Sequence, residues 1–192
     1  MKNLLTIMSL IALTSCFIGS GENSKILNLG EKKFPKLTGI DLNGNKKLLP
    51  ESFEGKLNII AIGFEREHQE AINTWIEVAD AIIEKNPEIK FYEVPLIYEL
   101  STFSRAWVNN GMRFGIQNEI ARKRTITVYT NRNEFFNIMQ MKGDRIYVAI
   151  INNEGDVLWL AEGVATKEKT ESLQKFIKDF EAKKLNLGKT KK

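Results

Sequence analysis

An α/β domain, built as a central mixed sheet with helices on both faces plus an N-terminal β-hairpin, is predicted for this 192-residue chain from three observations. Apolar runs of strand length alternate with segments whose apolar residues recur at three- and four-residue steps. Two turn signals, Asn43-Gly44 and Asn152-Asn153-Glu154-Gly155, each separate two strand-like runs. Between about Phe34 and Phe180 the chain is long enough for one domain with a substantial core, and it shows no internal repeat or low-complexity segment.

The elements follow in order. Leu37 to Leu42 and Lys46 to Leu49 flank Asn43-Gly44, a dipeptide that favours the positive φ of a tight turn. Leu57 to Phe64 is almost continuously apolar, as a strand buried on both faces requires. Ile72, Trp75, Ile76, Ala79 and Ile83 form one helical stripe, which Asn86-Pro87 stops. Ile89 to Ile97 returns as a strand. Phe103, Ala106, Trp107 and Asn110 mark a shorter helix ending near Gly111. Thr125 to Thr130 is rich in β formers, and Glu134 to Met141 is a helical turn or a loop. Arg145 to Ile151 and Asp156 to Ala161 make the second hairpin, and Leu173, Phe176, Ile177 and Phe180 stripe a closing helix. Trp75, Trp107 and Trp159 all fall in regular elements and are expected in the core.

Several of these segments carry a family resemblance. Phe34-Pro35-Lys36-Leu37, Asp41-Leu42-Asn43-Gly44 and Phe53-Glu54-Gly55-Lys56, followed by the buried strand, resemble the opening of thioredoxin-like proteins, in the peroxiredoxin and membrane-anchored thioredoxin branch. Ile150 to Trp159, then Glu162-Gly163 and a helix, resemble their last hairpin and helix. The resemblance implies a thioredoxin-like three-layer sandwich over residues 34–182. A narrower similarity runs through Arg124 to Tyr129, Tyr147 to Ile151 and Val157 to Thr166, with Trp75 also fitting. These look like the "Atp-ten" family, mitochondrial inner-membrane chaperones that help to assemble the proton-channel sector of ATP synthase.

Residues 1–15 read as a leader. Lys2 supplies a positive start, and Leu4 to Leu13 an apolar core of about ten residues, half of the ~20 needed to span a bilayer. Leu13-Thr14-Ser15-Cys16 resembles the lipobox of bacterial lipoproteins, which implies cleavage before Cys16 and attachment of acyl chains to it. One chain anchors only marginally, so two or three are needed. Residues 16–33, including Gly19 to Lys25, read as a flexible tether. The resemblance places the domain in the bacterial cell envelope, facing periplasm or exterior. Phe17, in place of the aspartate that retains lipoproteins in the inner membrane of enteric bacteria, favours the outer membrane where there is one.

The formal charge is +4, and Lys183, Lys184, Lys189, Lys191 and Lys192 outweigh all of it. The basic balance therefore belongs to residues 183–192, read as a basic disordered tail, and no nucleic-acid partner is expected. Arg113, Arg122, Lys123, Arg124 and Arg132 gather about the link from the second helix to the next strand. They read as a solvated loop-and-edge surface, with an acidic-partner patch as the functional alternative.

Thiol chemistry is excluded by what the chain lacks. A thioredoxin-like oxidoreductase carries a reactive thiolate where its buried strand enters the next helix. That turn here reads Phe64-Glu65-Arg66-Glu67-His68-Gln69-Glu70-Ala71, without cysteine, and Cys16 is the only cysteine in the chain. The family's cis-proline is missing too, since Met141-Lys142-Gly143-Asp144-Arg145 leads into the next strand. Glu65, Arg66, Glu67 and His68 form the candidate surface site. His68 is either a polar residue in a first helical turn, beside glutamates suited to that helix end, or a general base or metal ligand. No nucleophile or orienting partner accompanies it, so no catalytic residue is assigned. Met112, Met139 and Met141 read as packing residues. No metal or cofactor is expected.

The expected function is thus that of a membrane-anchored, redox-inactive binding or assembly module. Its partners are membrane lipid, through acylated Cys16, and an envelope protein of unspecified identity; oligomeric state is left open. The alternative is a cofactor-independent or metal-binding enzyme centred on His68 and its glutamates.

Overall fold

At Asn43-Gly44 the chain reverses with φ of 92° at the glycine, joining antiparallel strands β1 (Leu37–Asp41) and β2 (Lys46–Leu49). The buried Asp41 carboxylate fixes this turn by accepting the amide hydrogens of Asn43 and Asn45, each at 2.9 Å. The computed structural model describes residues 32–189. The predicted leader (1–15) and all of the tether up to residue 31, Cys16 included, lie outside the described residues. Lys32 and Lys33, assigned to the tether, belong instead to the fold. The Lys32 carbonyl accepts the Val157 amide hydrogen at 2.9 Å, and Lys33 bridges to Asp156.

β3 (Leu57–Gly63) is buried along its whole length, as its unbroken apolar run requires. It pairs in parallel with β4 (Ile89–Tyr98) across helix α1 (Gln69–Lys85). From β4 the chain passes through α2 (Thr102–Gly115) and α3 (Glu119–Arg124) to β5 (Ile126–Thr130), again parallel to β4. α4 (Arg132–Met139) then leads to the antiparallel hairpin of β6 (Tyr147–Asn152) and β7 (Val157–Glu162), and α5 (Lys167–Lys189) closes the domain. The seven strands run in the order β2-β1-β5-β4-β3-β6-β7.

This central mixed sheet separates two cores. On one face Ile60, Ile62, Val94 and Val128 meet Phe34, Phe53 and the α4 residues Phe135 and Met139. On the other, Ile59, Ala61 and Phe91 meet the α1 residues Ile72, Trp75 and Ala79 and the α5 residues Leu173 and Ile177. Helices therefore cover both faces, as predicted.

Four elements depart from the sequence reading. α4 is a full helix, capped by the Asn131 side chain, which accepts the amide hydrogen of Asn133 at 3.1 Å. α3 was not anticipated, because its apolar content is two residues; its Asn118 cap and i,i+4 Glu119–Lys123 pair support it locally. α2 runs past Gly111 to Gly115, and its apolar side faces outward. Trp107 is 76% exposed, whereas Trp75 and Trp159 are buried as expected. α5 continues to Lys189, into the stretch read as a tail, since leucine and lysine propagate a helix once it has been nucleated. Among the described residues no helix is long and apolar enough to cross a membrane.

Candidate functional site

The strand-to-helix turn at Phe64–His68 occupies the end of the sheet where β3 hands over to α1. Its geometry follows from one local bond. The Phe64 amide donates to His68 Nδ1 at 3.1 Å, and the imidazole stands edge-on to the Phe64 ring at 6.2 Å. Phe64 is drawn into the core, while Glu65, Arg66 and Glu67 remain exposed.

Beside this turn lies an arginine that sequence reasoning assigned to a solvated surface. Arg132, the first residue of α4, is 4% exposed. Both of its terminal nitrogens meet Glu65 Oε1 at 2.9 Å. Its guanidinium lies 4.2 Å from the Tyr98 ring centroid and within 5.5 and 5.6 Å of Phe64 and Phe136. Aromatic faces and one carboxylate thus replace the water that a buried cation loses. Gly143 completes the cage, because a Cβ there would sit 3.0 Å from the Phe136 ring and 3.2 Å from an Arg132 nitrogen. The proline-free loop before β6 therefore closes on a cation.

Arg122 and Arg124 also need correction, whereas Lys123 is exposed as expected. Arg124 pairs with Asp80 at 2.6 Å over the Phe91 ring, and Arg122 donates to the carbonyls of Ile116 and Gln117 and to Asn43 Oδ1. Arg124 thus ties α3 to α1, and Arg122 ties the α2–α3 link to the β1–β2 turn; Arg113 is exposed. Met139 and Met141 pack in the core, as expected.

Of the candidate surface site, Glu65 reaches a charged side chain among the described residues, that of Arg132. With Glu65 turned to Arg132 and His68 Nδ1 turned to the backbone, the structure does not bring Glu65, Glu67 and His68 together. Among the described residues no group of three His, Cys, Asp or Glu side chains is placed to hold a metal ion.

A second polar cluster lies beneath α1. Glu93, on β4, is 5% exposed and accepts a bond from Gln69 Nε2 at 3.3 Å. Burial pushes its carboxyl above the usual glutamate range, against the smaller opposing pulls of Gln69 and Arg124. A pKa raised on folding stabilises the fold fully below the ordinary glutamate pKa, and that contribution fades as pH rises through the raised value. Glu93→Gln is therefore expected to gain stability relative to the parent as pH goes from acidic to neutral. Urea unfolding midpoints across that range check this; a constant difference at every pH contradicts it.

The fold and this turn define a thioredoxin-like domain in which a caged guanidinium stands beside the passage from β3 to α1. Solved structures agree on the fold. The thioredoxin domain of a thiol-disulfide oxidoreductase from Bacteroides vulgatus superposes with TM-score 0.52 at 15% identity, covering 78% of this chain and 98% of that one. A domain of a possible thiol-disulfide isomerase from Cytophaga hutchinsonii gives 0.54 at 15% identity, covering 84% and 99%. BsSco, a member of the Sco family of cytochrome c oxidase assembly proteins, gives 0.52 at 10% identity, covering 76% and 93%. No curated protein matches the chain. The family model described as ATP10 protein matches residues 31–180, and the chain belongs to that family.

Proposed function

We propose that this chain is a redox-inactive thioredoxin-like lipoprotein, held to a bacterial envelope membrane by acylated Cys16, that binds and helps to assemble a protein partner. The observation that carries this reading is the Phe64–His68 turn. It contains no thiol, and its Glu65 is committed to Arg132, whose aromatic cage fills the space beside the turn. Oxidoreductases and assembly proteins share this fold, so the fold does not choose between them. The missing sulfur and membership of the ATP10 protein family favour assembly. The apolar run ahead of Leu13-Thr14-Ser15-Cys16 supports the anchor.

Crosslinking and pull-down from intact bacterial envelopes, comparing the parent chain with Cys16→Ser, tests both halves. The parent should fractionate with membranes, carry an acylated amino-terminal cysteine by mass spectrometry and capture a defined complex; Cys16→Ser should appear in the soluble fraction. His68→Ala should retain the same complex. An unmodified thiol at Cys16 in membrane-derived protein rules out the anchor, and turnover of a disulfide substrate by the purified protein rules out redox inactivity.

A further inference from the structure

α2 is an inside-out helix. Phe103, Trp107 and Phe114 lie on one side at helical spacing and are 84%, 76% and 87% exposed, and none of its residues is buried. The half-buried side turned to the body mixes Val108 and Met112 with polar groups. Asn109 accepts the Tyr129 hydroxyl at 2.8 Å, and the Arg105 guanidinium sits 5.0 Å over the Tyr129 ring while its Nε donates to the Leu100 carbonyl. These bonds hold the helix with its aromatic stripe in water. Each such ring gains free energy on leaving water, so an uncovered row of three is a strong bias toward an apolar medium.

We infer that α2 lies flat on an anionic lipid bilayer, with Phe103, Trp107 and Phe114 immersed at the boundary between headgroups and acyl chains. Three observations select lipid. The stripe is the convex outer surface of a helix, which suits a fluid plane. α2 contains no acidic residue, and its Arg113 is exposed for a lipid phosphate. Tryptophan and phenylalanine above arginine is the pattern of helices that rest in the interface. The inference rests on the membrane placement proposed above. Fifteen residues lie between Cys16 and Lys32, a reach of at most about 55 Å, so an acyl anchor there keeps the helix within range of the same bilayer.

Trp107 is itself the probe, because Trp75 and Trp159 are 1% and 7% exposed and iodide quenching of the folded chain reports chiefly on Trp107. The full chain carrying Cys16→Ser is mixed with phosphatidylcholine vesicles containing phosphatidylglycerol. Trp107 emission should shift to shorter wavelength, iodide quenching should fall several-fold, and brominated acyl chains should quench it. Phe103→Ser with Phe114→Ser, both at exposed positions, should weaken this response roughly tenfold or more. Three outcomes overturn the inference. Trp107 stays open to iodide while the chain floats with vesicles, which assigns binding to another segment. Trp107 is shielded without lipid in a concentration-dependent way, which assigns the face to a second copy. Or it is shielded by a detergent extract of membrane proteins and not by pure lipid, which assigns it to a protein groove. None of these bears on whether Cys16 is acylated, which the mass spectrum decides separately.

Discussion

Trp75→Ala is expected to remove about 4 kcal/mol of stability. The indole is 1% exposed in the core between α1 and the sheet, edge-on to Trp159 at a centroid distance of 6.0 Å. Its Nε1 also donates to the Gly163 carbonyl at 2.8 Å, which pins the end of the β6–β7 hairpin to α1. Alanine deletes the ring contacts, leaves a cavity that the sheet cannot collapse into, and strands that carbonyl. Trp75→Phe keeps most of the apolar volume and loses the bond, so its cost should be roughly 1–2 kcal/mol. Urea unfolding followed by far-ultraviolet circular dichroism separates the two. A loss below about 1 kcal/mol for the alanine variant would mean that the hairpin and α1 are not packed through this residue.

The second large effect is an asymmetry at the caged arginine. Glu65→Ala should cost about 2–3 kcal/mol, because it leaves a buried guanidinium with aromatic faces and no carboxylate. Arg132→Met should be within about 1 kcal/mol of the parent: it takes the charge away, fills similar space among Phe64, Tyr98 and Phe136, and returns a half-exposed Glu65 to water. In the Arg132→Met background, Glu65→Ala should then cost almost nothing. This cycle distinguishes a buried pair from a surface pair, for which both single changes would be small and similar. Finding Arg132→Met more damaging than Glu65→Ala would show that the cation itself stabilises this end of the sheet.

Both predictions concern residues whose roles were differently legible. Trp75 could be placed from periodicity, since it belongs to a stripe with Ile72 and Ala79 that repeats every three to four residues and ends at Asn86-Pro87. The same reasoning succeeds for the all-apolar β3, for the two hairpins and for α5, where spacing and turn chemistry are local properties. It gave the wrong side for α2. A stripe of Phe103, Ala106, Trp107 and Asn110 identifies a helix, yet periodicity carries no sign that says which side meets the protein. Arg105 and Asn109 settle that by meeting Tyr129, a residue on the strand that follows α3. α3 was missed because two apolar residues make no stripe and its support is an asparagine cap and an ion pair.

The candidate site divides in the same way. That the Phe64–Ala71 turn has no sulfur, and that the chain's one cysteine lies at position 16, can be read directly from the residues. Arg132 could not be read, because its cage is assembled from Phe64 and Glu65 after β3, Tyr98 at the end of β4, Phe136 one turn along α4, and Gly143 in the loop before β6. Local order determined the strands, the helices and the absence of cysteine from the Phe64–Ala71 turn, since backbone preference and side-chain identity act within a few residues. Which cation is buried, and which helix turns its aromatic side to the outside, were decided only by tertiary structure. Desolvation and ring contacts depend on groups that the chain holds far apart until the sheet brings their ends together.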